Sequence, residues 1–224
     1  MGTLYLVRHG QASFGADDYD QLSERGQAQA LRLGEYWRER GLTFDTVYAG
    51  TLKRHQQTLA GIVQGLGGAI PATQSRPGLN EYDSEALLRA IHPAPLPKPD
   101  TPELYRHHFR LLCDALAQWM GGTISPESMP DWNGFSDGVH QVLEEIRHEH
   151  SGQKVLLVSS GGPISTAVGQ VLGTSPEVTI ALNMRLRNIA VTEFTISSKR
   201  LMLQTFNTLN HLDSPEHRSW ITSA

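Results

Sequence analysis

Leu4-Tyr5-Leu6-Val7-Arg8-His9-Gly10-Gln11-Ala12 is the stretch that decides how the rest of the chain is read. The apolar run Leu4 to Val7 ends abruptly in a cation, an imidazole and a glycine. A short apolar run closed by a glycine reads as a strand buried on both faces. Its carboxyl end delivers Arg8, His9 and Gly10 to one point, and in an open α/β sheet that is the end where ligands bind. Arginine offers a planar fork of donors that matches phosphate. Histidine can attack phosphorus and carry a covalent intermediate. The expectation is a phosphate pocket with a histidine nucleophile. Three residues of this kind also occur by chance, so the reading depends on other segments converging on the same chemistry.

Working outward, Ser13 to Asp20 is a polar turn and Ser23 has the character of an N-cap. Ala28, Leu31, Leu33, Tyr36 and Trp37 recur as one face of a helix that stops near Gly41. Phe44 to Ala49 reads as a second strand, and a helix opens at Gly50-Thr51 and runs to about Leu66, with Leu52, Leu59, Ile62 and Val63 inward. Two strands flanking a long amphipathic helix form a βαβ unit, which predicts that they pair in parallel through a right-handed crossover. Ala69 to Arg76 predicts a short third strand, followed by a turn at 77–82 and a helix over Ser84 to Ile91.

Prolines 93, 95, 97, 99 and 102 exclude regular structure over 92–102. Helices are predicted from Pro102 to Met120 and from Asn133 to His150, separated by a loop over 121–130. Val155-Leu156-Leu157-Val158-Ser159 is the clearest buried strand, and Ser160-Gly161-Gly162-Pro163 turns from it into a helix reaching about Leu172. Pro176 to Leu182 suits one or two further helical turns. Ile189–Ile196 and Leu201–Phe206 alternate as a hairpin through 197–199, and the polar residues from Asn210 onward are expected to be loosely held.

The fold class is therefore α/β: a three-layer sandwich with a mostly parallel central sheet, helices on both faces and a small helical cap insertion. Residues 1–224 are expected to form one domain, with the cap at about 83–131. A formal net charge of -4 gives no broad basic surface for nucleic acid, so phosphate binding has to be local. No signal peptide and no membrane span are read from the sequence, and a soluble cytoplasmic protein is expected. The single cysteine, Cys113, excludes an intrachain disulfide framework and reads as a buried core thiol. No histidine pair has HExxH spacing. His148-Glu149-His150 suits a solvated helix end, and His107 and His108 are adjacent and cannot share a helix face. Trp119, Trp132 and Trp220 read as packing or rim residues.

Three strand-to-helix turns carry chemistry: Arg8-His9, the turn that opens the helix holding Arg54, and Ser160-Gly161-Gly162. In a doubly wound sheet all three lie at the same edge. Two arginines beside a glycine-rich helix N-terminus make an anion site, because free N–H groups and the helix dipole both favour negative charge.

With these segments in view, the chain resembles the histidine phosphatase superfamily, the phosphoglycerate-mutase-like proteins. Val7 to Gln11 is similar to its signature, Leu22 to Ala30 to its first helix start, Tyr48 to Thr58 to the segment with its second pocket arginine, Leu79 to Tyr82 to the segment with its proton donor, and Val155 to Ile164 to its second-histidine motif. The resemblance implies that His9 becomes a phosphohistidine and that Arg8 and Arg54 bind the phosphoryl oxygens. Glu81 would protonate the leaving oxygen and then activate water. Gly161 would offer an N–H to phosphate, with Gln11 and Gly15 also at the phosphate. It implies no metal and no other cofactor, and a small phosphorylated molecule as substrate. Nucleic acid and membrane are not expected as partners, and the oligomeric state, a dimer among the options, is left open.

Two positions depart from the pattern. Ser160 stands where most members have the second histidine, and a hydroxyl can donate a hydrogen bond but cannot be cationic. Gly15 stands where many have a phosphate-binding asparagine. A Ser-Gly-Gly-Pro turn is itself similar to that of a subgroup. His55, beside Arg54, could substitute for the missing imidazole, although a helix-surface position is the plainer expectation. The function expected is a metal-independent phosphomonoester phosphatase acting through His9. The alternatives are a catalytically weak or inactive phosphate-binding homologue and a phosphoglycerate-type mutase. Arg89, Lys98, Arg106 and Arg110 are the cations the cap could offer to a substrate.

Overall fold

The computed structural model describes residues 1–13, 20–68, 70–97 and 100–223. Its sheet is built from β1 (Gly2–Arg8), β2 (Thr46–Ala49), β3 (Thr73–Ser75), β4 (Lys154–Ser159), β5 (Val191–Ile196) and β6 (Leu201–Thr208). The spatial order is β3-β2-β4-β1-β5-β6. β4 pairs in parallel with both β1 and β2, while β5 is antiparallel to β1 and to β6. The parallel pairing expected between the first two strands does not occur, because β4 lies between them. Periodicity along the chain says nothing about which later strand will be inserted.

Among the described residues, seven α-helices surround the sheet: α1 (Glu24–Glu39), α2 (Lys53–Leu66), α3 (Ser84–Ile91), α4 (Pro102–Met120), α5 (Trp132–Glu149), α6 (Gly161–Leu172) and α7 (Pro176–Asn183). Side-chain alternation along the central strands divides the core in two. Leu4, Leu6, Val155 and Leu157 pack with Leu87, Leu116, Trp119, Phe135, Ile146 and Ile164 from α3, α4, α5 and α6. Val7, Val47, Leu156 and Val158 face Ala30, Leu33, Trp37, Leu59 and Ile62 from α1 and α2. Three layers follow from the period of two, because each central strand must bury both of its faces.

The helix ends obey local chemistry. Ser23, Asp83, Thr101, Asp131 and Ser175 each accept a hydrogen bond from an N–H in the first turn of α1, α3, α4, α5 and α7. α1 and α2 meet along glycines: a Cβ on Gly34 would fall 2.1 Å from the Ile62 carbonyl oxygen, and one on Gly65 equally close to that of Leu31. The buried seam of α1 is therefore Gly26, Gln29, Ala30, Leu33, Gly34 and Trp37. Ala28, Leu31 and Tyr36, expected inside, are only half-buried.

Other expectations are revised. Cys113 is half-buried, packed against the core rather than within it. His150 is half-buried and bonds the Tyr48 hydroxyl at 2.9 Å, whereas His148 is exposed. The third strand shrinks to three residues at the sheet edge. The segment after Asn210 is pinned: His211 and Leu212 are buried. Gln29 donates to the Trp220 carbonyl, and Asn188 N–H to that of Thr222. Among the described residues no helix is long and apolar enough to cross a membrane.

His211 gives a stability prediction. Burial, with Arg32 and His217 nearby, pushes its pKa down from 6.5 to about 3. Below pH 6.5 the unfolded chain takes up a proton that the native state refuses, so stability is full above that pH and falls as pH drops toward 3. At pH 5 this amounts to about 2 kcal/mol for such a histidine. His211→Phe should flatten the acid side of urea-melt stability between pH 7 and pH 5. Parallel curves for the two proteins would refute the assignment.

Candidate active site

β2, β4 and β1 are neighbours, so their carboxyl ends form one continuous edge. His9 follows β1 and its N–H donates to the Ser159 carbonyl at 2.9 Å. The next residue, Ser160, leaves β4 beside it. Gly50 leaves β2, donating its N–H to Val158 at 3.1 Å. The three turns singled out in the sequence thus lie side by side along one edge of the sheet.

His9 is 3% exposed. Its Nδ1 lies 2.7 Å from the Gly10 carbonyl oxygen, which can only accept, so Nδ1 carries the proton. The Nε2 lone pair is left for chemistry. Burial, reinforced by Arg8, Arg54 and His55, holds the imidazole well below its ordinary pKa. A neutral ring with an available lone pair is the form that can attack phosphorus.

The backbone around His9 is held from several sides. Its carbonyl accepts from Ile189 N–H at 3.2 Å and from the Asn188 amide at 3.4 Å. Ile189 has φ 56, the left-handed region, which a β-branched residue seldom adopts. Such conformations survive where the surroundings impose them, often at functional sites. Gly10 donates its N–H to the Thr58 hydroxyl at 3.0 Å, and that hydroxyl donates to the Arg54 carbonyl at 2.7 Å. The nucleophile turn and the second arginine's helix turn are thus locked together.

Both arginines are 8% exposed. Arg8 donates to the Leu186 carbonyl. Arg54 pairs with Asp20 at 2.7 Å, and the other Asp20 oxygen accepts the Lys53 N–H at 2.8 Å. Asp20 therefore orients the arginine and caps the start of α2. Sequence reading missed that role, because Asp20 looked like one more polar residue in a turn.

Glu81 follows the 3-10 turn Pro77–Leu79. Its two carboxyl oxygens accept the Gly162 N–H at 3.1 and 3.2 Å. Burial raises its pKa, opposed by the Gly162 N–H and by Arg54 and Arg8. A carboxyl that keeps its proton closer to neutral pH is suited to a general acid. A Cβ on Gly162 would fall 2.1 Å from Glu81 Oε1 and 2.7 Å from the Tyr82 ring, so a side chain there would displace the acid. Gly161 is the first residue of α6, and a Cβ on it would lie 2.5 Å from Asn183 Oδ1. Asn183 in turn donates to the Tyr82 hydroxyl at 2.9 Å. Neither Asn183 nor Tyr82 was picked out by the sequence; their role is to fix the wall behind the acid.

The remaining candidates divide. Gln11 is tied to the start of α1: its side-chain oxygen accepts from Ser23 at 3.1 Å, and its N–H donates to Gln29. Gly15 and Lys98 lie outside the described residues. Arg89, Arg106 and Arg110 are exposed. Arg89 pairs with Glu85 and Arg106 with Glu103, both on its own helix. His55 corrects the expectation of a surface position. It is fully buried, as is Ser160, and its Nε2 sits 2.7 Å from the Ser160 hydroxyl. The His55 and His9 rings are 5.8 Å apart. Among the described residues, no cluster of three or more His, Cys, Asp or Glu is arranged to hold a metal ion.

Comparison with known proteins agrees with this architecture. The family model of the histidine phosphatase superfamily (branch 1) matches residues 4–209. Phosphoserine phosphatase from Entamoeba histolytica superposes with a TM-score of 0.65 at 21% identity, over 95% of this chain and 100% of that one. Phosphoglycerate mutase from Bacillus anthracis gives 0.66 at 19% identity, over 93% and 94% of the two chains. The alpha-ribazole phosphatase from Shigella flexneri gives 0.65 at 19% identity, over 92% and 96%. At these identities the likeness is one of fold.

Proposed function

The chain belongs to the histidine phosphatase superfamily, and from that premise we propose that it hydrolyses phosphate monoesters through a phosphohistidine at His9, without a metal ion. The observation that carries the reading is the His9 ring itself: neutral, fixed by Gly10 with Nε2 available, and flanked by Arg8 and Arg54. Nε2 attacks phosphorus while the bond to the leaving oxygen breaks, and Glu81 gives that oxygen its proton. The resulting Glu81 carboxylate then takes a proton from water as the water oxygen attacks phosphorus. The P–N bond breaks, phosphate leaves, and His9 and Glu81 return to their starting forms. Arg8 and Arg54 offset the charge on the phosphoryl oxygens, so the protein contributes mostly position and electrostatics. Gly161 N–H, at the start of α6, and Gln11 complete the proposed phosphate contacts.

Residues of about 83–131 would form the cap that selects the leaving group. That reading is supported by Trp119 of α4, whose ring lies 5.7 Å from that of Tyr82, the neighbour of Glu81. A second reading, a phosphate-binding protein with little turnover, is favoured by one observation: a serine stands where a charged imidazole would help. A mutase would need a cap that grips a small diacid, and the described cap arginines are spent on exposed ion pairs or left on the surface.

The test is turnover of an aryl phosphate by chelator-treated protein, with a denaturing alkaline quench to trap the phosphoenzyme. Turnover with an acid-labile phosphohistidine is expected. Phosphate binding without turnover would leave the second reading.

A further inference from the structure

We propose that His55 and Ser160 work as one unit, in which His55 orients the Ser160 hydroxyl to donate a hydrogen bond to the phosphoryl group on His9. The proposal rests on the phosphohistidine reading and deepens it, assigning two residues the part expected of a second histidine.

The geometry argues it in steps. Ser160 is the N-cap of α6, where a serine ordinarily accepts from the helix's first turn. Here its side chain makes no capping bond. It faces His55 instead, at 2.7 Å, from the first turn of α2. Two helix N-termini thus bring their side chains together beside His9.

The tautomer of His55 decides what the pair can do. Nδ1 is buried without a hydrogen-bond partner. It is pressed against Gly50, where a Cβ would fall 2.2 Å from it. An N–H aimed at that backbone would be an unpaired buried donor, which proteins avoid more strictly than an unpaired lone pair. The proton therefore belongs on Nε2, which donates to Ser160 Oγ. With its lone pair so engaged, the serine must donate its own hydrogen elsewhere. A phosphoryl oxygen on His9 Nε2 is the acceptor at hand, since His9 and Ser160 leave adjacent parallel strands side by side. Donation from His55 polarises the hydroxyl, and hydrogen bonds in a chain strengthen one another. Burial and Arg54 keep His55 neutral, at a pKa of about 3, so the pair supplies a directed donor and not a charge.

Orthovanadate binding by calorimetry tests this without relying on turnover. His55→Leu fills the space but cannot donate. His55→Gln places an amide N–H near the position of Nε2. Ser160→Ala removes the hydroxyl. His55→Leu and Ser160→Ala should each weaken vanadate binding by about 100-fold, the scale of one lost donor. The double variant should be no weaker than either single one, because the two residues form one unit. His55→Gln should stay within about tenfold of the parent. Equal losses for the Leu and Gln variants, or losses that multiply in the double variant, would overturn the proposal, as would a parent that binds no vanadate. A parent that binds vanadate but never turns over sinks the phosphatase reading and leaves this measurement intact. Should the variants unfold, nitrogen NMR of the parent decides: a pyrrole-type Nε2 on His55 is expected, and a pyridine-type Nε2 refutes the pair.

Discussion

His9→Ala should lower turnover of an aryl phosphate by at least about 10^4-fold, the scale seen when a covalent nucleophile is removed. The same variant should still bind inorganic phosphate within about tenfold of the parent, since the donors that read the anion remain. The separation follows from the geometry. His9 sends Nδ1–H to its own Gly10 carbonyl, so its one contribution to a bound phosphoryl group is the Nε2 lone pair. Arg54 is held by Asp20, and Arg8 by the Leu186 carbonyl. Each arginine thus has an orienting partner other than the imidazole. Removing a neutral ring also leaves the pocket's charge unchanged. Steady-state rates in the presence of a chelator, beside calorimetric titration with phosphate, measure both halves. Turnover retained without His9 would end the phosphohistidine mechanism. Loss of phosphate binding together with turnover would mean that the imidazole holds up the pocket and is not simply its reagent.

Much of this site could be read from the chain because strand ends are local. Leu4 to Val7 and Val155 to Val158 are apolar runs that read as buried strands, and each stops beside candidate site residues. The ends of α3 and α4 also matched expectation to the residue, since Asp83 and Thr101 are caps and Pro102 can only sit in a first turn.

What could not be read depended on contacts between distant segments. Glycines mark the α1–α2 seam, yet in an apolar count a glycine is an interruption. The apolar positions read along this helix, Leu52, Leu59, Ile62 and Val63, skip His55, so a surface position is the plainer expectation for it. The structure reverses that: the buried face of α2 starts with Arg54, His55 and Thr58. Its first turn faces the pocket rather than the core, so its inward side is polar. The same reasoning accounts for Asp20 and Asn183, each of which acts through a partner more than thirty residues away in sequence.

Glu81→Gln should produce a loss that depends on the leaving group. On an alkyl phosphate, whose alkoxide is a poor leaving group, turnover should fall by about 10^3-fold, within the usual range for a general acid. On a nitrophenyl phosphate, whose phenolate leaves readily, formation of the phosphoenzyme should fall by less than about tenfold. The glutamine still accepts from Gly162 N–H through its oxygen, so the packing that keeps Gly162 free of a side chain is retained. What it lacks is the transferable proton. The pH dependence follows the same sign. Burial raises the Glu81 pKa, so the acid form persists to higher pH than in water and is lost as pH climbs through the raised value. For the parent acting on the alkyl substrate, kcat/KM should therefore decline on the alkaline side, and that limb should vanish in Glu81→Gln. Breakdown of the phosphoenzyme needs Glu81 as a base, so the aryl substrate should give a burst of phenolate followed by a slow steady state. A variant that lost the same factor on both substrates, with no burst, would show that Glu81 only shapes the pocket, and the proton donor would have to be sought elsewhere along the edge where β1, β2 and β4 end.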